Sequence, residues 1–358
     1  MSELYIGVMS GTSLDGVDLS LCEIDDSTCK LISSLEFPFD VELKEEILSI
    51  INGSTTLDQV GVLDNKLGHL FADAINTFVQ KQSIDAKSID AIGLHGQTLW
   101  HKPNGDNPFS MQLGCPNVVS SQTNIKVVAD FRRMDMANGG QGAPFTPAFH
   151  QFIFKEKNSA VLNIGGMANI TILGENLRGW DTGCGNVLMD MWIQKCKNVP
   201  FDKDGEFAKS GSVDADLLDA MINDDYFKQI PPKSTGREYF NDTWLANHLP
   251  MFQTTKDEDI QRTLLELTAK SIANDVKENK IKSLIICGGG VKNSFLMQRL
   301  QELCKIEVAS SDAAGVSSEF MESMAFAWFA YKRVHGEVVK LSSVTGATKD
   351  SILGGIYE

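Results

Sequence analysis

The sequence predicts an α/β protein with two lobes, and three observations support this prediction. Short apolar runs typical of strands alternate with longer segments in which apolar residues recur at helical spacing. This pattern stops at a glycine-rich stretch, residues 138–144, and then starts again. With 358 residues, the chain is long enough for two lobes of about 150 residues each. We therefore expect a weak internal duplication, in which each lobe has its own sheet.

The first half begins with three strand-like runs of a β-meander, Leu4–Met9, Val17–Ile24 and Lys30–Phe37. Helical periodicity follows at two places, 43–51 and 60–78. A further strand, Ile89–Leu94, brings His95 and Gln97 to its C-terminal end, where α/β folds place ligand-binding groups. The short run Val127–Ala129 is expected to do the same for Arg132.

The second half repeats the order of strands followed by helices. Paired strands are predicted at 160–164 and 169–173, followed by a loop at 180–186 and a helix at 187–196. An amphipathic helix at 260–276 precedes a strand at 283–286, and further helices are expected at 294–303 and 319–334. We predict an N-terminal lobe at 1–135, to which the segment 336–358 is a candidate addition, and a C-terminal lobe at 136–335.

The sequence Trp-Asp-Thr-Gly-Cys-Gly-Asn at 180–186 contains a single carboxylate between glycines. In such a loop, backbone amides converge on an anion, and the N-terminus of the following helix adds a favourable dipole. A phosphate would repel Asp181 unless this residue takes part in the chemistry, so we predict that Asp181 is the catalytic base. Asp181 is not needed to cap the helix, because Thr182 and Asn186 offer capping groups. Gly183, Gly185 and Asn186 are predicted to bind the cofactor.

A second loop of the same kind joins the first two strands. Its predicted nucleotide-binding residues are Gly11, Thr12, Ser13, Leu14, Asp15, Gly16, Val17 and Asp18. Asp15 and Asp18 are candidate ligands of Mg²⁺, although Asp18 also fits a position facing solvent on the second strand. Two phosphate-type loops from the two halves of the chain suggest a nucleotide held between them.

A third glycine cluster follows the strand-like residues 283–286. Its predicted cofactor-binding residues are Gly288, Gly289, Gly290 and Asn293. Successive glycines after a strand let a flat ring lie against the backbone, which suits adenine. A single glycine-rich turn is usually only structural, but three in this order favour a nucleotide site.

Charge and cysteine content exclude several classes of protein. The chain carries 32 basic and 47 acidic residues, a formal charge of −15, which disfavours nucleic acid and anionic membranes as partners. Any ATP site must therefore gain local positive charge from amides, basic side chains or Mg²⁺. Seven cysteines without a Cys-x-x-Cys pair are typical of reduced thiols, and we found neither a secretory signal nor a transmembrane run. We expect a cytoplasmic protein, and a homodimer.

The order of these motifs resembles the superfamily of sugar kinases, actin and heat-shock ATPases, and more closely the anhydro-N-acetylmuramic acid kinases. The motifs that carry the resemblance are VMSGTSLDGVD (8–18), GLHGQTLWHKP (93–103), DFRRMDMANGGQGAP (130–144), NIGGMANIT (163–171), GWDTGCGN (179–186), KSTGREYFN (233–241) and CGGGVKN (287–293). Cys184 stands where the family is expected to have proline. The resemblance implies a duplicated actin-like ATPase fold, related to ribonuclease H, with mixed sheets and a central nucleotide cleft.

Four further residues are candidates for sugar binding. His95 and Gln97 also fit structural roles, as a core imidazole and a turn residue. Adjacent Arg132 and Arg133 cannot both face one side of a strand, so we assign only Arg132. Glu322 lies on an apolar helix, where a carboxylate is costly unless it meets a partner such as a sugar hydroxyl or an N-acetyl amide. The resemblance also points to Glu322 as a sugar anchor.

The resemblance implies an ATP-dependent kinase that opens and phosphorylates 1,6-anhydro-N-acetylmuramic acid in cell-wall recycling. The 6-oxygen of this sugar is bonded to the anomeric carbon, so Asp181 would activate a water that opens the ring while the freed 6-oxygen takes the γ-phosphoryl group. Two alternatives remain open at this point. One is an ordinary sugar kinase, and the other is an ATP-binding switch of the chaperone or filament type.

Overall fold

The computed structural model describes residues 2–11, 14–154, 159–231, 233–237, 239–249 and 254–358. Its strands are β1 Glu3–Ser10, β2 Gly16–Ile24, β3 Cys29–Pro38, β4 Ile89–Lys102, β5 Phe109–Leu113, β6 Val127–Ala129, β7 Ser159–Ile164, β8 Met167–Ile172, β9 Arg178–Cys184, β10 Ser283–Cys287, β11 Glu307–Ser310 and β12 Gly355–Tyr357. Its helices are α1 Val41–Asn52, α2 Leu57–Lys81, α3 Pro116–Thr123, α4 Arg132–Ala137, α5 Thr146–Ile153, α6 Val187–Lys197, α7 Glu206–Ser210, α8 Ala215–Ile222, α9 Asp242–His248, α10 Asp257–Glu278, α11 Ser294–Cys304, α12 Met321–Val334 and α13 Ser342–Thr345.

The chain divides into two compact units. The first unit consists of Met1–Phe154 together with Phe320–Glu358, and the second of Lys155–Glu319. This division differs from the boundaries that we drew from the sequence, because residues 136–154 and 320–335 belong to the first unit. Helix α12 packs against β1, β2 and β4, where Gly7 and Gly93 leave room for its backbone.

The glycine-rich stretch that we took for a boundary is bound within the first unit. The amide of Gly142 donates to Oδ2 of buried Asp135 at 2.8 Å, and the hydroxyl of Thr345 donates to the other oxygen of Asp135 at 2.7 Å. The C-terminal segment joins the same unit, since β12 pairs with β6. The stretch is therefore fastened on both sides by contacts inside the first unit.

Each unit is built on a mixed sheet with the same strand order. The path in the first unit is β12-β6-β4-β1-β2-β3, with β5 added to β4, and in the second unit it is β11-β10-β7-β8-β9. In both units the first three strands form an antiparallel meander. The other side of the first strand continues in parallel pairs, through β4 and β6 in the first unit and through β10 and β11 in the second. The predicted α/β fold with duplicated mixed sheets is confirmed.

Most predicted elements are present, and β6 has the predicted bounds. The predicted loop at 180–186 is wrong, because strand β9 continues to Cys184. Likewise, β4 runs beyond His95 and Gln97 to Lys102 and pairs with β5. Each of these strands continues because another segment bonds to it. Strand β5 pairs with the end of β4, and the carbonyl of Lys233 accepts from the backbone amide of Asp181 on β9. Among the described residues, no helix is long and apolar enough to cross a membrane.

Candidate functional site: two polar clusters

Asp181 lies on β9, the last strand on one side of the second sheet, and hydrogen bonds to Tyr226, Lys233 and Thr235 hold it. The backbone amide of Thr235 donates to Oδ2 of Asp181 at 2.8 Å. The amide of Asp181 donates to the carbonyl of Lys233 at 3.0 Å, and the hydroxyl of Tyr226 donates to the carbonyl of Asp181 at 2.7 Å. Tyr226 is buried, which raises the pKa of its phenol and keeps it a donor. Both the backbone and the carboxylate of Asp181 are therefore fixed by Tyr226, Lys233 and Thr235.

A β-bulge re-aims the strand beside this carboxylate. Asn169 pairs with Asp181 and Ala168 pairs with Gly183, so Thr182 is the extra residue on β9. Gly183 has a φ of +146°, and a Cβ there would lie 2.6 Å from the ring of Phe227. Bulges of this kind are common next to active sites, because they change the direction of a side chain. The glycine pattern around Asp181 therefore reflects a bulged strand.

The predicted anion cradle at 183–186 is not formed in this structure. The amides of Gly185 and Val187 donate to the carbonyl of Gly166 at 2.9 and 3.1 Å, and the amide of Asn186 donates to Gly165 at 2.8 Å. From the sequence we expected Thr182 or Asn186 to cap α6. In the structure neither side chain does so. The glycines let the turn at 165–166 pack closely against the start of α6, since a Cβ on Gly185 would overlap the carbonyl of Gly165.

Cys184 is a small buried side chain in the core of the second unit. Its thiol lies 3.9 Å from the hydroxyl of Thr268, and burial raises its pKa to about 12. It is therefore a neutral packing residue.

The three glycines after β10 have different structural roles. Gly288 has a φ of +81°, and a side chain there would overlap Asn163, while a side chain on Gly290 would overlap Ile164. At Gly289, by contrast, the nearest atom to an added Cβ is 4.0 Å away, on Asn186. Of the three, Gly289 is thus the position with open space for a ligand beside its backbone.

Asn293 has a defined structural role as the N-cap of α11. Its side-chain oxygen accepts from the amide of Leu296 at 3.0 Å. Because this oxygen is occupied, the predicted contact of Asn293 with the cofactor depends on its side-chain nitrogen.

The hairpin between β1 and β2 is only partly described. The predicted residues Thr12 and Ser13 lie outside the described residues. Leu14 and Val17 are buried in the core, so any contact of theirs with a nucleotide must come from the backbone. Gly16 lies close against β3, where a Cβ would overlap the carbonyl of Phe37. The carbonyl of Gly11 accepts from Nε2 of the Gln97 side chain at 3.4 Å.

The two candidate metal ligands differ in their surroundings. The side chain of Asp15 is 80% exposed and lies 3.4 Å from the ammonium of Lys44. Asp18 lies within β2, opposite Met9 and Glu36. No cluster of three metal-binding side chains occurs among the described residues. Mg²⁺ in nucleotide sites commonly uses one or two carboxylates plus phosphate oxygens, and exposed Asp15 fits that chemistry.

Buried His95 and half-buried Arg132 form a pair in the first unit. Nε and Nη2 of Arg132 lie 3.2 and 2.9 Å from Nε2 of His95, and Nη1 donates to the carbonyl of Gly142 at 2.6 Å. Because a guanidinium has no acceptor, Nε2 must accept, and the imidazole proton belongs on Nδ1. Burial, with the charge of Arg132 as a second cause, lowers the pKa of His95 well below its usual value. His95 is therefore neutral and orients the arginine.

Glu322 belongs to the same cluster. It lies in the first turn of α12, one turn before Phe326, whose ring is 4.6 Å from that of His95. Burial raises the pKa of Glu322, and the charge of Arg132 opposes that shift. Burial also lowers the pKa of Arg132 to about 10, although the charges of Glu322 and Asp135 raise it in part. Among the described residues, no hydrogen bond or ion pair to the Glu322 carboxylate is found.

Gln97 and Arg133 have other roles. The Gln97 side chain accepts from the hydroxyl of Ser10 at 2.6 Å, so it links β4 to β1. Arg133 is 68% exposed and pairs with Asp130 at 2.9 Å. Only Arg132 faces inward, but the expected strand is wrong, because both arginines lie on α4. The structure thus brings together His95, Arg132 and Glu322, and places Gln97 at the hairpin.

Two cavities adjoin these clusters. One of about 360 Å³ lies in the second unit, beside Thr182 and Lys233 and against the end of α10. The other, of about 140 Å³, lies in the first unit and is lined in part by His95, Gln112 and Asp130.

Comparison with known proteins identifies the family. Residues 3–358 match the model of the family described as anhydro-N-acetylmuramic acid kinase. The chain belongs to this family. It is 57% identical to the anhydro-N-acetylmuramic acid kinase of Sulfurimonas denitrificans, with complete coverage of both chains, and 56% identical to that of a Sulfurovum species, with 99% of each chain covered. The corresponding kinase of Vibrio vulnificus is 48% identical over 99% of this chain and 98% of that protein.

A solved structure of ligand-bound xylulose kinase from Lactobacillus acidophilus is 11% identical, with a TM-score of 0.49 over 99% of this chain and 93% of that one. The predicted family and the prediction of a kinase are confirmed by the family match and the close relatives.

Sequence reasoning missed the residues that hold Asp181 in this anhydro-N-acetylmuramic acid kinase family member. The motif at 233–241 was recognised, but Lys233 and Thr235 were given no role. They act through backbone groups, which leave no chemical signature in the side chains. Tyr226 lies outside the quoted motifs.

Proposed function

We propose that this chain uses ATP to convert 1,6-anhydro-N-acetylmuramic acid and water into N-acetylmuramic acid 6-phosphate and ADP. Membership of the family over residues 3–358 and the names of relatives at 48–57% identity support the substrate and the reaction. The structural observation that carries the mechanism is the carboxylate of Asp181, which is fixed on a bulged edge strand by the amide of Thr235.

Asp181 acts as the general base in this proposal. It takes a proton from water, whose oxygen bonds to the anomeric carbon while the bond from that carbon to the 6-oxygen breaks. The electron pair stays on the 6-oxygen, which attacks the γ-phosphorus as the bond to the ADP oxygen breaks. The amide of Thr235 holds Oδ2 of the carboxylate in place.

The remaining predicted residues bind the two substrates. Arg132 and Glu322 offer a cation and a carboxylate with free acceptor capacity, which suits sugar hydroxyls and an N-acetyl amide. The segment 11–18 and the turn at 288–290 are assigned to the nucleotide, with Gly289 supported by its open space. Asp15 and Asp18 are the proposed ligands of Mg²⁺, which when bound neutralises charge on the phosphates.

Location and assembly complete the proposal. The seven cysteines, all within the described residues, are free thiols, which supports a reducing compartment such as the cytoplasm. The expected homodimer stays a prediction, which light scattering of the purified protein tests.

A panel of sugars with ATP tests the proposed function by ADP release. We expect turnover with the 1,6-anhydro sugar and none with buffer alone. Faster turnover with N-acetylmuramic acid or another sugar with a free 6-hydroxyl would indicate an ordinary sugar kinase. Release of inorganic phosphate without any sugar dependence would indicate an ATP-binding switch.

A further inference from the structure

To bind a phosphate group, the second unit needs a source of positive charge other than the backbone amides at the start of α6. The amides of Gly185, Asn186 and Val187 already donate to the carbonyls of Gly165 and Gly166, so they are not free for an anion. The formal charge of the whole chain is −15, which makes a bound triphosphate more costly still. A cationic side chain close to this turn would meet the need.

Arg237 supplies such a cation. Its guanidinium lies beside the turn between β7 and β8, where a Cβ on Gly166 would be 3.8 Å from one Nη and 3.9 Å from Nε. The side chain is exposed and makes neither an ion pair nor a hydrogen bond with any described residue. Its charge reaches Asp190 on α6, whose pKa is raised to about 6 by burial and lowered in part by Arg237. Five donor N–H groups therefore remain available for an anion.

The backbone that carries Arg237 is the same one that holds the base. Within 233–237, Lys233 and Thr235 bond to Asp181, and the carbonyl of Gly236 accepts from the amides of Tyr239 and Phe240 at 3.1 Å each. The segment is thus fastened on both sides of Thr235. The cation and the base are two residues and one hydrogen bond apart, so their positions are coupled.

We propose that Arg237 binds the phosphoryl group that this enzyme transfers, and is a catalytic residue. This inference rests on the proposed function, because it presupposes ATP as the donor. Arg237 donates hydrogen bonds to the phosphoryl oxygens and neither gains nor loses a proton, while the bond to ADP breaks and the bond to the sugar 6-oxygen forms. The planar guanidinium matches phosphate oxygens in pairs, and an arginine in this role is commonly worth about 10³–10⁵ in kcat.

The test compares Arg237→Ala and Arg237→Lys with Arg178→Ala, a control that removes an exposed arginine of the same unit stacked on Trp180. We expect kcat of Arg237→Ala to fall at least about 10³-fold, with the sugar KM little changed, and Arg237→Lys to lie between. Added guanidinium at millimolar concentration should restore part of the activity of Arg237→Ala only. A kcat of Arg237→Ala equal to that of the control would overturn the inference and leave a solvated surface arginine.

A binding measurement separates this inference from the proposed function. Calorimetry compares a non-hydrolysable ATP analogue with ADP, and Arg237→Ala should lose roughly tenfold or more of the preference for the analogue while ADP binding is unchanged. That result needs no sugar turnover, so it supports Arg237 even if the anhydro sugar proves not to be the substrate. If a folded Arg237→Ala protein keeps the wild-type preference for the analogue over ADP, and wild type turns over the anhydro sugar, the role of Arg237 is rejected and the proposed function stands. Thermal melting of each variant confirms that it is folded.

Discussion

In the first unit, residues 11–15 connect the first two strands of the sheet, whereas Gly165 and Gly166 alone connect the corresponding strands of the second unit. The longer connection carries Asp15, a largely exposed carboxylate. The short one packs against the start of α6, accepts its amides and lies beside Arg237. The same strand order therefore supports an acidic loop in one unit and a closed turn beside a cation in the other.

The third and fourth strands differ in the same way. In the second unit the third strand, β9, carries Asp181, to which Tyr226, Lys233 and Thr235 bond. In the first unit the polar residue is on the fourth strand, β4, where His95 contacts Arg132. The two units therefore carry their candidate functional groups at different positions of the same strand order, with the fixed carboxylate of Asp181 in the second unit and the cluster of His95, Arg132 and Glu322 in the first.

The largest expected effect is on the base of the second unit. Asp181→Asn keeps the shape of the side chain but removes the base, so kcat should fall about 10²–10⁴-fold or more while ATP still binds. The control is Asp225→Asn, which removes an exposed carboxylate that pairs with Lys228 in the same unit. Near-normal turnover of Asp181→Asn would mean that the base lies elsewhere.

The next effect concerns the cluster of the first unit. Glu322→Ala should raise the sugar KM about 10-fold to 100-fold, because a charge-assisted hydrogen bond to the sugar is lost, and leave nucleotide affinity unchanged. Steady-state kinetics with varied sugar measure this change, and Glu337→Gln, a surface residue paired with Lys332, is the control. If nucleotide affinity falls instead, the assignment of α12 to the sugar is wrong.

A smaller effect is expected at the turn after β10. Gly289→Val should weaken ATP binding roughly tenfold without loss of folding, since a side chain there meets open space in the protein but would occupy the proposed place of adenine. Gly290→Ala should instead lower the melting temperature, because its Cβ would overlap Ile164. Calorimetry and thermal melting distinguish the two, and unchanged ATP affinity of a folded Gly289→Val protein would remove this turn from the site.

The smallest effect is on stability. The pKa of Asp190 is raised to about 6 by burial, so the folded protein binds this proton more tightly than the unfolded chain does. The free energy of unfolding should therefore fall as the pH rises from about 4 to about 6, by about 1–3 kcal/mol from this group. Asp190→Asn should lack that fall and melt a few degrees higher than wild type at pH 7, but not at pH 4. Equal melting temperatures of wild type and Asp190→Asn at both pH 4 and pH 7 would show that burial does not destabilise the ionised Asp190. The control is Asp219→Asn, at an exposed residue.

Much of the fold could be predicted from the sequence, because strands such as Val127–Ala129 are short apolar runs with clear limits. From the sequence we assigned His95, Gln97, Arg132 and Glu322 to the sugar, and the structure brings three of them together while Gln97 bonds to Ser10. It misplaced Asp181 in a loop, since a bulge and a loop share the same glycine pattern. Periodicity assigned α12 correctly as a helix but could not show that it packs on the first sheet, because that depends on the small size of distant Gly7 and Gly93.

The most direct test of the central claim follows one oxygen atom during turnover in oxygen-18 water. If Asp181 activates water against the anomeric carbon, mass spectrometry should find one label on the sugar and none on the transferred phosphate. Short reaction times and unlabelled N-acetylmuramic acid 6-phosphate incubated alone control for exchange at the anomeric hydroxyl. A sugar product without label, or label in phosphate, would contradict the account.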